Sequence, residues 1–248
     1  MARIHVLADE LTDQLDSPTM VEGLPGVGLV GKIAADHLVE AFDMTHYGDA
    51  FCDGIPDVAV YMEDDPELHP PVRLYADAER NLLVLQSDIP IRPDAATELA
   101  GCLGSWFDEL DVLPIFLSGI AREKSADTPA LYGVGTGGAA EHLTAAGIDN
   151  PTETGLVSGP TGALLSNAVA VGRPALGLIV ESDPQFPDPE AARVVIKQGI
   201  EPLTGIEVPV DDLVDRTTEI REAKEQLARR MQQSDEESTQ ARPLGMYQ

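Results

Sequence analysis

The 248-residue chain carries 43 acidic and 16 basic residues, which gives a formal net charge of −27. Such a charge repels nucleic acid, and no apolar run approaches the ~20 residues that a helix needs to cross a bilayer. The length suits one large α/β domain, which buries most of its surface on folding without structural staples.

The acidic residues are scattered through every segment, and only four residues are lysines. In molar salt the Debye length falls to ~3 Å, so neighbouring surface charges hardly repel one another. We interpret the charge as an adaptation to a salt-rich cytoplasm of a halophilic cell. An acidic patch that binds a partner is the alternative interpretation.

Two cysteines, Cys52 and Cys102, lie in different segments and lack the spacing of metal ligands. Neither a disulfide nor a zinc site is therefore expected, and both are interpreted as small core residues of a protein in a reducing compartment. The N-terminus reaches Asp9 and Glu10 before any apolar stretch of signal-peptide length. These features together predict a cytoplasmic protein.

Short runs of Val, Ile and Leu alternate with helical patterns, which predicts a sheet with helices on both faces. The predicted strands are Ile4 to Leu7, Met20 to Gly23, Val58 to Met62, Val72 to Ala76, Leu82 to Gln86, Leu113 to Leu117 and Leu176 to Val180. The runs at residues 81–86 and 175–180 have no polar alternation, as is typical of central strands that are covered on both sides.

Helices are predicted to begin near Val30, at Pro93-Asp94 and near Gly138, and another follows Gly162. The one from Pro93 runs to about Leu110, and Asp188-Pro189-Glu190 caps a last one that ends near Gly199. The interval from residue 73 to 80 indicates a hairpin, so the sheet is mixed. The fold class is therefore a single three-layer α/β domain over residues 1–209, with a mixed, largely parallel sheet.

The pattern changes at residue 210. Residues 210–233 predict a long polar helix with a thin apolar seam of Leu213, Ile220 and Leu227. The seam either packs along its own domain, which we favour slightly, or pairs with a neighbouring subunit. Residues 234–248 have little to bury and are predicted to form a flexible tail.

Three glycine-rich segments precede helical patterns. Gly26, Gly28 and Gly31 match G-x-G-x-x-G and nearly match a phosphate loop, but Ile33 stands where that loop needs Ser or Thr. The other two segments contain Gly135, Thr136, Gly137 and Gly138, and Gly159, Thr161 and Gly162. If the three met at one sheet edge, their N–H groups would present a site for a nucleotide or small anion. The alternative is that all three are compact turns or subunit contacts.

No catalytic constellation assembles from the sequence. His37 and His142 are the best general-base candidates, but an isolated histidine is more often a packed or surface residue. Ser158 and Ser166 lack the G-x-S-x-G elbow of hydrolases. The acidic stretches at residues 63–67 and 108–111 lack calcium-loop spacing. We therefore predict no catalytic residue, no metal ligand and no cofactor.

The last three residues are Met246, Tyr247 and Gln248. An apolar side chain, an aromatic ring and a terminal carboxylate after a flexible spacer can dock into a partner's pocket. The alternative, an end without function, stays open because three positions carry little information.

Four separated motifs closely resemble the archaeal proteasome assembly chaperone family, and the resemblance spans about residues 21–210. They are Val21-Glu22-Gly23-Leu24-Pro25-Gly26-Val27-Gly28-Leu29-Val30-Gly31, Gly135-Thr136-Gly137-Gly138, Gly159-Pro160-Thr161-Gly162-Ala163-Leu164-Leu165 and Phe186-Pro187-Asp188-Pro189-Glu190-Ala191-Ala192. The resemblance implies one α/β domain similar to the phosphorylase/hydrolase fold, a homo-oligomer and no established catalytic residues.

The family resemblance also implies a function for the tail. Some archaeal members end in a hydrophobic residue, tyrosine and any residue, the motif by which proteasome activators enter pockets between α subunits of the core particle, and residues 246–248 match it. The resemblance thus implies a homo-oligomeric chaperone or activator that docks on the proteasome α ring. The alternative is an enzyme or sensor that binds a nucleotide or anion, although Ile33 gives no support to an ATP-dependent enzyme.

Overall fold

The computed structural model describes residues 3–53, 55–63, 65–92, 95–121, 128–184, 187–211 and 213. Ten strands occur in this part of the chain. They are β1 (Arg3–Val6), β2 (Thr19–Gly23), β3 (Thr45–Phe51), β4 (Val60–Tyr61), β5 (Leu68–His69), β6 (Val72–Asp77), β7 (Leu82–Ser87), β8 (Leu113–Ala121), β9 (Leu131–Thr136) and β10 (Ala175–Ser182). Strands β4 and β5 form a small separate ribbon, and the other eight form one sheet.

The eight-stranded sheet has the order β1-β3-β6-β7-β2-β8-β10-β9. Its centre is parallel, because β7, β2, β8 and β10 run in the same direction. Both margins are antiparallel, with β1, β3 and β6 on one side and β9 on the other. The mixed sheet and the hairpin between residues 73 and 80 are confirmed.

Helices cover the two faces of the sheet. They are α1 (Asp9–Thr12), α2 (Val30–Ala41), α3 (Ala96–Leu110), α4 (Ala140–Ala145), α5 (Gly159–Val171), α6 (Pro189–Val194) and α7 (Glu201–Thr204). Residues of α2, α4 and α6 share one apolar core with the sheet, and residues of α3 and α5 share the other. We call these the α2 face and the α5 face.

The central strands supply both cores because their side chains alternate between the faces. In β7, Leu82 and Val84 are buried on the α2 face, whereas Leu83 and Leu85 are buried on the α5 face. Each fully buried leucine contributes about 1.5–3 kcal/mol relative to an exposed one. The three layers predicted from the unbroken apolar runs follow from this double burial.

The last helical segment begins as predicted but ends later. The Asp188 carboxylate accepts a hydrogen bond from the Ala191 N–H (3.1 Å), with Pro189 in the first turn. The helix does not end near Gly199, because a π-helical stretch, Val195–Ile200, leads into α7. Gly199 instead makes room for Leu178 of β10, whose Cδ1 would lie 2.5 Å from an added Cβ.

The cysteines pack in the core of the α5 face, as expected, but the expectation that they form no disulfide is wrong. Cys52, just after β3, and Cys102, on α3, form a disulfide with a Cα–Cα distance of 6.1 Å. The two residues are 50 positions apart, and only the packing of α3 on the α5 face brings them together. Because disulfides are typical of oxidising compartments, the cysteines no longer support a reducing one.

Three predictions lie partly or wholly outside the described residues. The predicted start of α3 at Pro93-Asp94 is outside them. The helix of residues 210–233 is outside them too, apart from positions 210, 211 and 213. The tail of residues 234–248 is also outside. Leu213 itself is buried in the core of the α2 face. Among the described helices, none is long and apolar enough to span a membrane.

Candidate functional site

The first glycine segment forms a tight turn at the carboxyl edge of the central strands. Gly28 and the following Leu29 both adopt left-handed backbone conformations, with φ of 63° and 53°. Gly28 also packs on the end of β10, where an added Cβ would lie 1.9 Å from the Ser182 hydroxyl oxygen. The turn therefore needs glycine for its backbone and for close packing.

A buried carboxylate, Glu22 on β2, lies beside this turn and is fully shielded from solvent. Its Oε1 accepts hydrogen bonds from the Leu24 N–H (3.2 Å) and the Thr161 hydroxyl (3.1 Å). Its Oε2 accepts one from the Leu117 N–H (3.0 Å). Burial raises the pKa of Glu22 and these hydrogen bonds lower it. Burial has the larger effect, so the pKa rises to about 7. One side chain thus joins β2, β8 and α5.

This carboxylate joins the third glycine segment to Leu24, two residues before the first segment. Gly159, Thr161 and Gly162 form the first turn of α5, and Thr161 is the hydroxyl donor to Glu22. Glu22 is not among the site residues predicted from the sequence. The available signal was an acidic residue inside an otherwise apolar strand, Thr19–Gly23.

The second glycine segment lies at the opposite edge of the sheet. Gly135 and Thr136 belong to β9, which runs antiparallel to β10 and ends beside Ala175, the first residue of β10. Gly137 follows with φ of 61° and packs on the backbone of Pro174, whose nitrogen lies 2.4 Å from an added Cβ. Gly138 is in the same turn. The structure therefore brings two of the three segments together.

Lys32, the lysine that follows the first turn, is engaged in ion pairs. Its Nζ lies 2.8 Å from Asp36 and 3.3 Å from Asp88, and Asp88 in turn lies 2.6 Å from the Arg73 guanidinium. Burial raises the pKa of Asp36, against the lowering by Lys32. In a phosphate loop the corresponding lysine contacts phosphate, whereas here carboxylates surround it.

A second polar cluster lies over β3 and β6 on the α2 face. His46 contacts Asp49 (2.8 Å) and His69 contacts Asp65 (2.8 Å), and the two imidazole rings are 5.7 Å apart. Each histidine–carboxylate pair lies within one segment, and the contact between the two rings is what joins β5 to β3. This cluster is not among the features predicted from the sequence.

The catalytic candidates do not come together within the described part of the chain. His37 on α2 contacts the Pro209 carbonyl oxygen, and His142 is exposed on α4. Ser158 precedes α5 and Ser166 is exposed on its surface. No hydrogen bond between described residues joins either serine to a histidine. Among these residues, no group of three or more His, Cys, Asp or Glu side chains could hold a metal ion.

A cavity of about 570 Å³ lies on the α5 face beside the start of α5. The loop of residues 151–157 forms one wall, and β8, β9 and β10 form the floor. Its lining is mainly apolar with several hydroxyl groups: Ser118, Gly119, Ile120, Tyr132, Val134, Pro151, Thr152, Glu153, Thr154, Gly155, Leu156, Val157 and Ile179. A cavity of this size can hold a small ligand or an apolar side chain of another protein.

These features define a class of protein: a three-layer α/β domain with a parallel centre, whose carboxyl edge is closed by two glycine turns on a buried carboxylate. The chain belongs to the PAC2 family, whose model matches residues 20–228.

Three individual proteins illustrate the similarity. An uncharacterised protein of Methanocaldococcus jannaschii is 27% identical over 252 residues, which cover 98% of this chain and 96% of that protein. The structure of Pyrococcus furiosus PbaA, an archaeal homologue of proteasome-assembly chaperone, matches with a TM-score of 0.77 and 27% identity, over 89% of this chain and 96% of PbaA. Pyrococcus furiosus PbaB, an archaeal proteasome activator, has the same fold, with a TM-score of 0.66 and 20% identity over 88% and 94% of the two chains.

Proposed function

We propose that this protein is a non-enzymatic partner of the proteasome that acts as an assembly chaperone or an activator. The observation that carries the proposal is the similarity to PbaA, which extends over nearly the whole of both chains. PbaB shares the fold of this chain, which agrees with the proposal. The absence of a paired nucleophile and base among the described residues is consistent with a binding role.

The contact with the proteasome is assigned to the C-terminus. Met246, Tyr247 and Gln248 follow a polar segment with almost no apolar side chains. A free carboxylate, an aromatic ring and an apolar side chain suit pockets between α subunits of the core particle. The protein acts in the cytoplasm, and it acts there as a homo-oligomer. Oligomerisation suits a weak docking motif, because several tethered tails raise its effective concentration.

The first test is a pull-down of purified archaeal core proteasome in molar salt. The full chain is compared with a chain ending at Gly245 and with the variants Tyr247→Ala and Gln248→Ala. We expect binding by the full chain and by Gln248→Ala, since the motif accepts any final residue, and at least a tenfold loss for the other two. Equal binding by the full and shortened chains would contradict docking through the C-terminus.

A second candidate function is the binding of a nucleotide or small anion beside α5, and the cavity of about 570 Å³ is the observation that favours it. Charge weighs against it, because Glu22, Glu181 and Asp188 lie buried around this edge. Among the described residues that line the cavity, none is a lysine or an arginine. Calorimetry with ATP, NAD and phosphate in molar salt separates the two functions. Heat of binding from any of them would favour a ligand site.

A further inference from the structure

The cavity on the α5 face leaves apolar side chains open to solvent. Leu156, in the loop that forms one wall, is 87% exposed, and Ile120 near the end of β8 is 36% exposed. Val134 and Ile179 belong to the floor. A hollow of about 570 Å³ that collects such side chains is typical of a binding site, whereas apolar residues scattered singly over a surface are not.

The lining of the cavity indicates what kind of group fits. The hydroxyl groups of Ser118, Tyr132 and Thr154 can each donate or accept a hydrogen bond. Among the described residues of the lining, Glu153 alone carries a charge. A suitable occupant is therefore apolar or aromatic with few polar groups, and any charged side chain on it is positive.

The C-terminal segment of this chain, residues 241–248, has this composition. It contains Leu244, Met246 and Tyr247, and Arg242 is its one charged side chain. In a chain with 43 acidic and 16 basic residues, an apolar segment with a single basic side chain stands apart. Its side chains match the lining in both polarity and charge.

The segment can reach the cavity from the last described residue. Leu213 is buried in the core of the α2 face, and residues 214–248 follow it. If residues 214–233 form the predicted helix they span ~30 Å, and an extended chain over residues 234–246 adds ~40 Å. A domain of about 210 residues has a radius of gyration of ~17 Å, so the cavity on the opposite face lies within this reach.

We propose that the cavity binds the C-terminal segment of the same chain. Met246 and Tyr247 then contact Leu156. Arg242 lies on the side of Glu153, where opposite charges attract. The tethered segment acts at an effective concentration of ~1 mM, so even a weak contact is well occupied.

The cavity contact competes with the proteasome, because Met246 and Tyr247 are also the side chains assigned to the proteasome pockets. The apparent affinity for the proteasome is then reduced to the extent that the segment is docked in its own chain. This autoinhibition rests on the proposed function, whereas the contact between segment and cavity does not.

The test measures the binding of a fluorescein-labelled peptide of residues 241–248 to full-length chains in molar salt, by fluorescence anisotropy. In the double variant Met246→Ala with Tyr247→Ala the tethered segment no longer competes, so we expect the peptide to bind. The native chain should bind it about tenfold more weakly if the variant has a dissociation constant of ~0.1 mM, because the native segment competes at ~1 mM. Equal binding by both chains, or binding by neither, would overturn the proposal.

A neutral substitution in the cavity separates docking there from non-specific adsorption. Leu156→Asn, added to the double variant, is expected to weaken peptide binding at least tenfold. Leu68→Asn, at a leucine of β5 that is 69% exposed, is the matched control and should leave peptide binding unchanged. Both leucines are exposed, so thermal unfolding by circular dichroism should stay close to that of the double variant. Unchanged peptide binding by the Leu156→Asn chain would place the peptide elsewhere and contradict the proposal.

Proteasome binding gives a separate measurement. Leu156→Asn in the otherwise native chain keeps the tail intact and frees it from the cavity, so the pull-down of core proteasome should increase by up to about tenfold. An unchanged pull-down by a chain that does bind the proteasome would overturn the autoinhibition. If the peptide binds the cavity but no chain binds the proteasome, the result supports the cavity contact and contradicts the proposed function.

Discussion

The protonation of Glu22 is linked to the stability of the fold. Its pKa rises from 4.5 to about 7 on burial, so between these pH values the folded chain keeps a proton that the unfolded chain has released. The retained proton stabilises the fold fully below pH 4.5, and this stabilisation is lost as pH rises through about 7. It amounts to ~3 kcal/mol of unfolding free energy in total. In the protonated form the carboxyl can donate to the Thr161 hydroxyl oxygen, which also accepts hydrogen bonds.

The variant Glu22→Gln removes this titration. Its carboxamide N–H would face the Leu117 N–H, so we expect a constant loss of about 1–3 kcal/mol. The difference in unfolding free energy between variant and native chain should then shift by up to ~3 kcal/mol in favour of the variant as pH rises from 5 to 8. Urea unfolding at several pH values in molar salt measures it.

The exposed Glu141 on α4 provides the matched control, because Glu141→Gln removes a carboxylate that is open to solvent. The difference in unfolding free energy between Glu141→Gln and the native chain should change little over the same pH range. A flat curve for Glu22→Gln as well would mean that Glu22 titrates in the folded chain as it does in the unfolded one.

At the scale of elements, the Cys52–Cys102 disulfide fixes the end of β3 to α3. It closes a loop of 50 residues, and the loss of chain entropy in the unfolded state corresponds to ~4 kcal/mol. Replacing both cysteines by alanine, or reducing the native chain, is expected to lower the unfolding free energy by about 2–4 kcal/mol. Denaturant unfolding with and without reductant checks the size of the effect.

The double alanine variant also serves as the control for the reductant, because it contains no thiol that reductant can change. Its unfolding should be identical with and without reductant. Alkylation of the native chain under denaturing conditions, followed by mass measurement, counts the free thiols. Two free thiols in freshly purified protein would contradict the disulfide.

The sequence predicts those elements whose burial is complete. Most of β7 and β10 consists of unbroken apolar runs, residues 82–85 and 175–180, because helices cover these strands on both faces. By contrast, β3 and β9 were missed, since β3 contains polar residues and β9 is interrupted by Gly133 and Gly135. Their pairing is decided by the neighbouring strands, which local pattern does not reveal.

The candidate site could be predicted only in pieces for a similar reason. The motifs at Gly28 and Thr161 were recognised, but their meeting depends on strand order and on the buried Glu22 between them. Gly137 lies at the far edge because β9 is antiparallel, and no local feature of its sequence encodes that direction. The disulfide likewise depends on a tertiary contact between distant segments.

At the scale of the whole molecule, the net charge of −27 makes salt part of the stability of the fold. Surface carboxylates repel one another over ~10 Å in 0.1 M salt, but over only ~3 Å in 1 M salt. The unfolded chain is larger, so its charges are farther apart and unfolding relieves the repulsion. The buried pairs of Lys32 and Arg73 with Asp88 are shielded from water and change little with salt.

We therefore expect the unfolding free energy to fall steeply when KCl is lowered from about 1 M to about 0.1 M, by a large part of the roughly 5–15 kcal/mol that holds a domain folded. Thermal and urea unfolding of the full chain across this range measure the effect. Choline chloride at equal concentration should act like KCl, because screening depends on ionic strength and not on the cation. If only KCl stabilised the chain, specific cation binding would replace screening as the cause, and equal stability at both salt concentrations would contradict the role of charge repulsion.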